Sequence, residues 1–237
     1  MALVEARAIE KRFSGVVAVK DVDLLVAEGE LLGLFGPNGA GKTTMFNIIA
    51  GAVRPTAGAV RFRGVDITAV PAFRRARMGI GRTFQVVRPF RGLTVMENLM
   101  AAVPSAAARD GRPADLAALL RGVGLEKRAN DPAAALTLGM LKRLEVARAL
   151  ALSPQLLLLD EPLAGLSDRE CADMLQFVAT VRRSITIVMV EHNVHLALPI
   201  CDRAVVMDAG SIIAEGTPGE IRKNPAVIRA YLGEDAA

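Results

Sequence analysis

The residues Gly36-Pro37-Asn38-Gly39-Ala40-Gly41-Lys42-Thr43 fit the spacing Gly-x-x-x-x-Gly-Lys-Ser/Thr in full, and Thr44 follows directly. Glycines so spaced let successive backbone N–H groups curl around phosphate oxygens, and a helix starting where the loop ends adds partial positive charge. Lys42 is placed to reach the β- and γ-phosphates of a nucleotide, Thr43 to set its hydroxyl on magnesium, and Thr44 to touch the α-phosphate. The competing reading is an ordinary strand-to-helix turn. A second group of residues weighs against it. Leu156-Leu157-Leu158-Leu159-Asp160-Glu161-Pro162 is an apolar run ending in two acids. It predicts a buried strand beside the loop that projects Asp160 from its C-terminal end, where open α/β sheets bind ligands. Asp160 would hold magnesium through water, and Glu161 would orient and deprotonate the attacking water. Alone, these acids read as a strand end meeting solvent. Together with the loop they predict that ATP-magnesium is hydrolysed as well as bound. His192 and His195 are close to metal-ligand spacing, but no Cys or further His accompanies them. Zinc is therefore not expected, and His195 reads as helix surface.

The secondary-structure elements must bring these groups to one place. Residues 31–35 form an apolar run into the loop, and 43–50 carry apolar residues at helical spacing up to Gly51, which predicts strand, loop and helix. Residues 4–9 and 16–26, rich in Val, Leu and Ile and broken by charges, read as strands; 59–62 reads as an edge strand and 71–78 as a short basic helix. Thr94-Val95-Met96-Glu97 is a capping box opening a helix to about residue 102. Residues 104–113 read as a loop, and 115–123 and 141–152 as helices. The alternation then resumes. Strands are expected at 156–159, 185–190 and 203–208, with a helix opened by Ser167-Asp168-Arg169-Glu170 running to about 183. Thr217-Pro218-Gly219-Glu220 starts a short helix with Pro at its first position, and Asn224-Pro225 starts the last one. Such alternation predicts a largely parallel sheet, with 87–152 as a helical subdomain inserted in the α/β core.

Composition bounds the function. The 237 residues are 52% hydrophobic, enough for a sizeable core, while aromatics are 4% and Trp is absent, which argues against stacking surfaces for single-stranded nucleic acid. A net charge of +4 reads as a solvated surface, with contact to acidic lipid or a polyanion as the alternative. Cys171 and Cys201 lack metal-ligand spacing and read as reduced thiols of a cytosolic protein. The first residues do not read as a signal peptide, and no apolar run approaches the roughly 18–20 residues of a membrane span.

With these motifs in this order, the chain resembles the nucleotide-binding subunits of ABC transporters over essentially its whole length. The resemblance implies a P-loop NTPase fold of the α/β class. Its RecA-like ATP-binding core would take residues 1–86 and 153–237, with an N-terminal antiparallel β portion, and the α-helical signature subdomain would take 87–152. It implies that Phe13 stacks on adenine, that Gln85 joins core to subdomain and meets magnesium, and that His192 is the switch contacting the γ-phosphate. Taken singly, Phe13 reads as a core aromatic and Gln85 as a surface amide; the ordered set of motifs favours the functional reading. Ala164-Gly165-Leu166-Ser167 falls where the family has its dimer-crossing loop. The family signature Leu-Ser-Gly-Gly-Gln stands here as Leu136-Thr137-Leu138-Gly139-Met140. Thr137 keeps a hydroxyl and Gly139 a close backbone approach for the partner's ATP, while Leu138 replaces a glycine and Met140 a polar amide.

Arg75-Ala76-Arg77-Met78-Gly79-Ile80-Gly81-Arg82-Thr83-Phe84-Gln85 and the C-terminal Ala230-Tyr231-Leu232-Gly233 are similar to the ATPases of branched-chain amino-acid importers in particular. Importers of urea and short amides share much of this pattern, and the lipopolysaccharide-export ATPase some of it. The resemblance implies a homodimer, or a heterodimer with a second ATPase, that sandwiches two ATPs head to tail. It also implies two permease subunits, an extracytoplasmic solute-binding protein acting indirectly, and a peripheral place on the cytoplasmic face of the cell membrane. Residues 85–100 would form the groove for a permease coupling helix, with Val86, Val87, Phe90 and Leu93 open between interface and core. A soluble ATPase acting on ribosomes or DNA is disfavoured, because the chain has neither a second nucleotide domain nor a long coiled-coil insertion. A poorly hydrolysing regulatory subunit is the remaining alternative, suggested by Leu138 and Met140.

Overall fold

A computed structural model describes residues 1–103, 115–182 and 184–232. The loop expected at 104–113, the helix end expected near 183 and Gly233 of the C-terminal motif lie outside them.

Two long strands, β1 (Ala2–Phe13) and β2 (Val16–Ala27), pair antiparallel, with Ala6, Val22, Leu24 and Val26 turned to the core between exposed or half-buried neighbours. The strand β3 (Leu31–Phe35) is buried at every position and enters the loop that opens α1 (Lys42–Ala50). β4 (Ala57–Phe62) pairs with β1 and β5 (Val65–Asp66) with β4, giving the order β2-β1-β4-β5. The edge strand expected at 59–62 is therefore corrected to an inner one. The positive φ of Arg63 and Gly64 folds the two-residue β5 back against its outer side.

The helix α2 (Ala72–Met78) leads into β6 (Ile80–Arg82). The helices α3 (Val95–Met100), α4 (Leu116–Gly122) and α5 (Leu138–Leu150) follow, and then β7 (Leu156–Asp160). After α6 (Asp168–Val181) come β8 (Thr186–Val190), α7 (Val194–Ala197), β9 (Arg203–Asp208) and β10 (Ser211–Gly216). The chain continues through α8 (Pro218–Lys223) and α9 (Pro225–Leu232). The second sheet runs β10-β9-β3-β8-β7-β6, parallel throughout except for β10 against β9. Two of its strands were not expected. β6 has three residues including Gly81, too few to show a period, and β10 occupies the sheet edge with half-buried residues.

The acidic strand β7 is separated from β3 by β8. In register, Asp160 stands opposite Val190 and Val190 opposite Leu34, so Asp160 still emerges at the edge where the loop begins. The helix α5 starts at Leu138, not at 141, so the signature residues lie in its first turn.

The parallel sheet is covered on both faces, as parallel sheets are. One core joins Leu34, Val190 and Phe46 to the antiparallel strands, and another joins Phe35, Leu159, Met174 and Val206. A third, built on Val95, Leu99, Leu120 and Leu144, belongs to the helical segment. At the far end of α1 the guanidinium of Arg75, 1% exposed, donates to the carbonyls of Ile48, Ile49, Ile67, Thr68 and Val70. It satisfies the last-turn carbonyls that every helix leaves open. Burial pushes its pKa down to about 10, still charged at neutral pH.

Candidate functional site

The phosphate loop has a shape that side chains would block. Gly36, Gly39 and Gly41 have φ of 142°, 80° and 100°. A Cβ on Gly36 would meet the Met207 carbonyl oxygen at 2.1 Å, and one on Gly41 the Ala18 oxygen at 2.4 Å. No side chain caps α1, so its first N–H groups face the loop. The Lys42 ammonium, 3% exposed, donates to the carbonyls of Gly36 at 2.7 Å and Pro37 at 2.8 Å, and burial lowers its pKa. To reach a phosphate it would exchange these neutral acceptors for charged ones, which bind it more strongly.

A cleft of about 400 Å³ opens over the loop, lined by Asn38 through Thr44 on one side and Gln85, Glu161 and His192 on the other. Phe13 and Ala18 form its outer wall. Phe13 is 44% exposed, with the Lys11 ammonium 4.8 Å from its ring centre, so it is not a core aromatic. The ring presents a flat apolar face to the cleft's mouth.

Glu161 is the most constrained group. It follows β7 with φ 47°, rare for a residue with a side chain, and its N–H donates to the Val190 carbonyl. One carboxylate oxygen accepts from Gln85 Nε2 at 3.0 Å; the other lies 2.5 Å from His192 Nε2. An approach that close needs a proton between the two atoms. Gln85 is thus an exposed amide with a defined job, and His192 is tied to the same acid. The carbonyl of Glu161 accepts from the Lys142 ammonium at 2.7 Å.

Asp160 lies behind this cleft. It lines a small neighbouring cavity of about 10 Å³ with Thr83, Lys142 and Glu145. Its N–H donates to Thr83 Oγ1, while its Oδ1 is buried and has no partner among the described residues. Burial raises its pKa, opposed by the nearby Arg82. An orphaned buried carboxylate oxygen fits a hydrated divalent cation, whose charge would offset the burial cost. Oxygen-only donors from Asp160 and Thr43 fit magnesium better than zinc.

Several supporting residues escaped the sequence reading. Glu145 Oε1 accepts from the Phe84 N–H at 2.7 Å, while Oε2 is buried without a partner among the described residues, and burial raises its pKa to about 7. Glu191, 2% exposed, accepts from the N–H groups of Leu163 and His192. Lys142 and Glu145, three apart on one face of α5, therefore grip the backbones that carry Glu161 and Gln85. The available signal was a Lys and a Glu among apolar neighbours in the 141–152 helix.

Thr137 and Gly139 do not line this cleft; they stand at the N-terminus of α5, where the Thr137 hydroxyl accepts from the Met140 N–H. A Cβ on Gly139 would meet Glu170 Oε1 at 2.3 Å. That oxygen belongs to a carboxylate already capping Ser167, so the glycine is also needed within this chain. Leu138 is 45% exposed and reaches toward Gly165, while Met140 and Leu141 pack on the helical core. Their apolar character thus has a use inside the chain.

Comparison with known proteins agrees with this geometry. Residues 19–164 match the ABC transporter family model, and 211–237 match that of the branched-chain amino acid ATP-binding cassette transporter. The chain is 41% identical to the high-affinity branched-chain amino acid transport ATP-binding protein LivG of Salmonella typhimurium, over 98% of both chains. It is 39% identical, with the same coverage, to BraF of Pseudomonas aeruginosa, which bears the same description. Among solved structures, the ADP conformation of an ATP-binding cassette of an ABC transporter superposes with a TM-score of 0.87 at 29% identity, covering 99% of this chain and 100% of that one. A dimeric post-hydrolysis cassette bound to ADP and phosphate superposes with a TM-score of 0.78 at 27% identity, covering 91% and 98%.

Proposed function

The chain belongs to the ABC transporter family of ATP-binding subunits, and on that premise we propose that it powers an importer of branched-chain amino acids. Its reaction is ATP hydrolysis. The C-terminal match and the LivG and BraF relatives support the cargo class. The observation that carries the mechanism is the Glu161 carboxylate, held between Gln85 and His192 across the cleft from the phosphate loop.

In this reading Gly36 through Thr44 cradle the phosphates, Lys42 neutralises their charge, and Phe13 stacks on adenine. Asp160, Thr43 and Gln85 would hold magnesium, which when bound supplies charge neutralisation at the phosphates. Glu161 orients a water and takes its proton. His192 and Gln85 fix the direction of that carboxylate, and His192 turns between it and the γ-phosphate. We read 87–152 as the signature subdomain, supported by its own apolar core. Thr137 and Gly139 would complete the nucleotide site of a second subunit, a copy or a close homologue; the dimeric relative supports this. Val86 and Phe90, 68% and 49% exposed, with Val87 and Leu93 half-buried, would receive a permease. Among the described residues no helix is long and apolar enough to cross a membrane. We place the subunit peripherally, on the cytoplasmic face.

Glu161→Gln is expected to keep ATP binding and to lose about 10²- to 10⁴-fold in turnover, with the dimer trapped. Normal phosphate release by that variant would sink the assignment of Glu161. Reconstitution with its permeases tests the cargo: stimulation by a binding protein loaded with leucine, isoleucine or valine supports it, and stimulation by urea or a short amide replaces it. The poorly hydrolysing alternative rests on the apolar Leu138 and Met140, and multiple turnovers in that assembly would exclude it.

A further inference from the structure

Gly36 is held from both sides. Its carbonyl accepts from Lys42, and its N–H donates to the hydroxyl of Tyr231 at 2.6 Å. Tyr231 is the only tyrosine in the chain and lies on α9, 195 residues away. Val227, one turn earlier on the same face, is seated in the core with Phe35 and Val206, and this aims the tyrosine at the loop. Tyr231 is 37% exposed, but partial burial still pushes its pKa up, to about 12, and the protonated hydroxyl is a neutral acceptor. Two bonds tie the loop to other elements of the described residues: the Gly36 N–H to the Tyr231 hydroxyl and the Gly210 N–H to the Ala40 carbonyl.

We propose that Tyr231 is a positioning residue for ATP binding, through which the C-terminal helix fixes the entrance of the phosphate loop. The proposal rests on residues 36–44 being the phosphate cradle. When Lys42 turns to a phosphate it gives up the carbonyls of Gly36 and Pro37, and the loop loses two of its internal bonds. The Tyr231 bond does not compete with phosphate, so it holds Gly36 before and after binding. An entrance fixed in advance lowers the ordering cost of binding. The effect belongs to nucleotide affinity and not to the hydrolytic step, because Tyr231 does not line the cleft and its hydrogen bond is to Gly36, not to Glu161.

The test uses the full chain. Tyr231→Phe removes only the hydroxyl, and the affinity for magnesium-ATP should weaken about 2- to 10-fold, the worth of one hydrogen bond. Turnover at saturating ATP should stay within about twofold. A lowered melting temperature with unchanged nucleotide affinity would mean a structural role only, and would overturn the proposal. Amide exchange in the unaltered chain supplies a second measurement. The Gly36 N–H should stay protected when a non-hydrolysable ATP analogue binds; exchange that accelerates on binding overturns the proposal. Lys42→Ala separates the premise, since unchanged nucleotide affinity there rejects the phosphate loop itself, whatever Tyr231 does.

Discussion

At the scale of single residues, the site concentrates buried acids. Burial raises the pKa values of Asp160, Glu145 and Glu191 alike, because each charged form loses hydration in the folded chain. Burial takes Glu145 to about 7, against an ordinary value of 4.5. Between those pH values the folded state binds more protons than the unfolded one. Stability from this group is therefore complete at low pH and is lost as pH rises toward 7. Glu145→Gln mimics the protonated acid and should remove that slope. Urea unfolding should show the variant gaining on the parent from pH 5 to pH 8, by up to about 3 kcal/mol. A difference that does not change with pH would show that Glu145 is an ordinary carboxylate.

At the scale of elements, α1 is anchored at both ends. Its N-terminus carries the phosphate loop, and its C-terminus ends on Arg75, which also ties down the backbone at Ile67 and Val70. Arg75→Met leaves several buried carbonyls without donors, each costing about 1–3 kcal/mol. The expected loss is about 3–5 kcal/mol of unfolding free energy, with Arg75→Lys recovering only part, because an ammonium lacks the planar fork. A loss below about 1 kcal/mol would mean that water replaces the guanidinium. The helix α5 has the complementary role. It holds Glu161 through Lys142 and Phe84 through Glu145, so a shift of this helix reaches the backbone on both sides of the Gln85–Glu161 hydrogen bond.

At the scale of the whole molecule, the cleft holds a loop and an acid but not Thr137 or Gly139, which stand at the head of α5. A head-to-tail dimer would bring them to the partner's nucleotide. Complementation tests this arrangement. Lys42→Ala and Thr137→Val should each be inactive alone. Mixed, they form dimers with one intact site and should recover at most about a quarter of the parent rate, if the two sites turn over independently. No recovery in a mixture shown to contain heterodimers would argue against shared sites.

The amino-acid sequence by itself determined the loop, the acid pair and the alternation of strands and helices. Each rests on residue types at short fixed spacing: glycines that admit positive φ, a lysine one step into a helix, two acids ending an apolar strand. The tertiary structure decided what those groups touch. It put β8 between β3 and β7, brought Gln85 to Glu161 across 76 residues, and set Arg75 under α1. It also turned the apolar Met140 and Leu141 into core and delivered Tyr231 to Gly36. Such pairings depend on strand order and on which helix covers which face of the sheet. Burial then fixes their strength, and local spacing does not encode which distant groups are buried together.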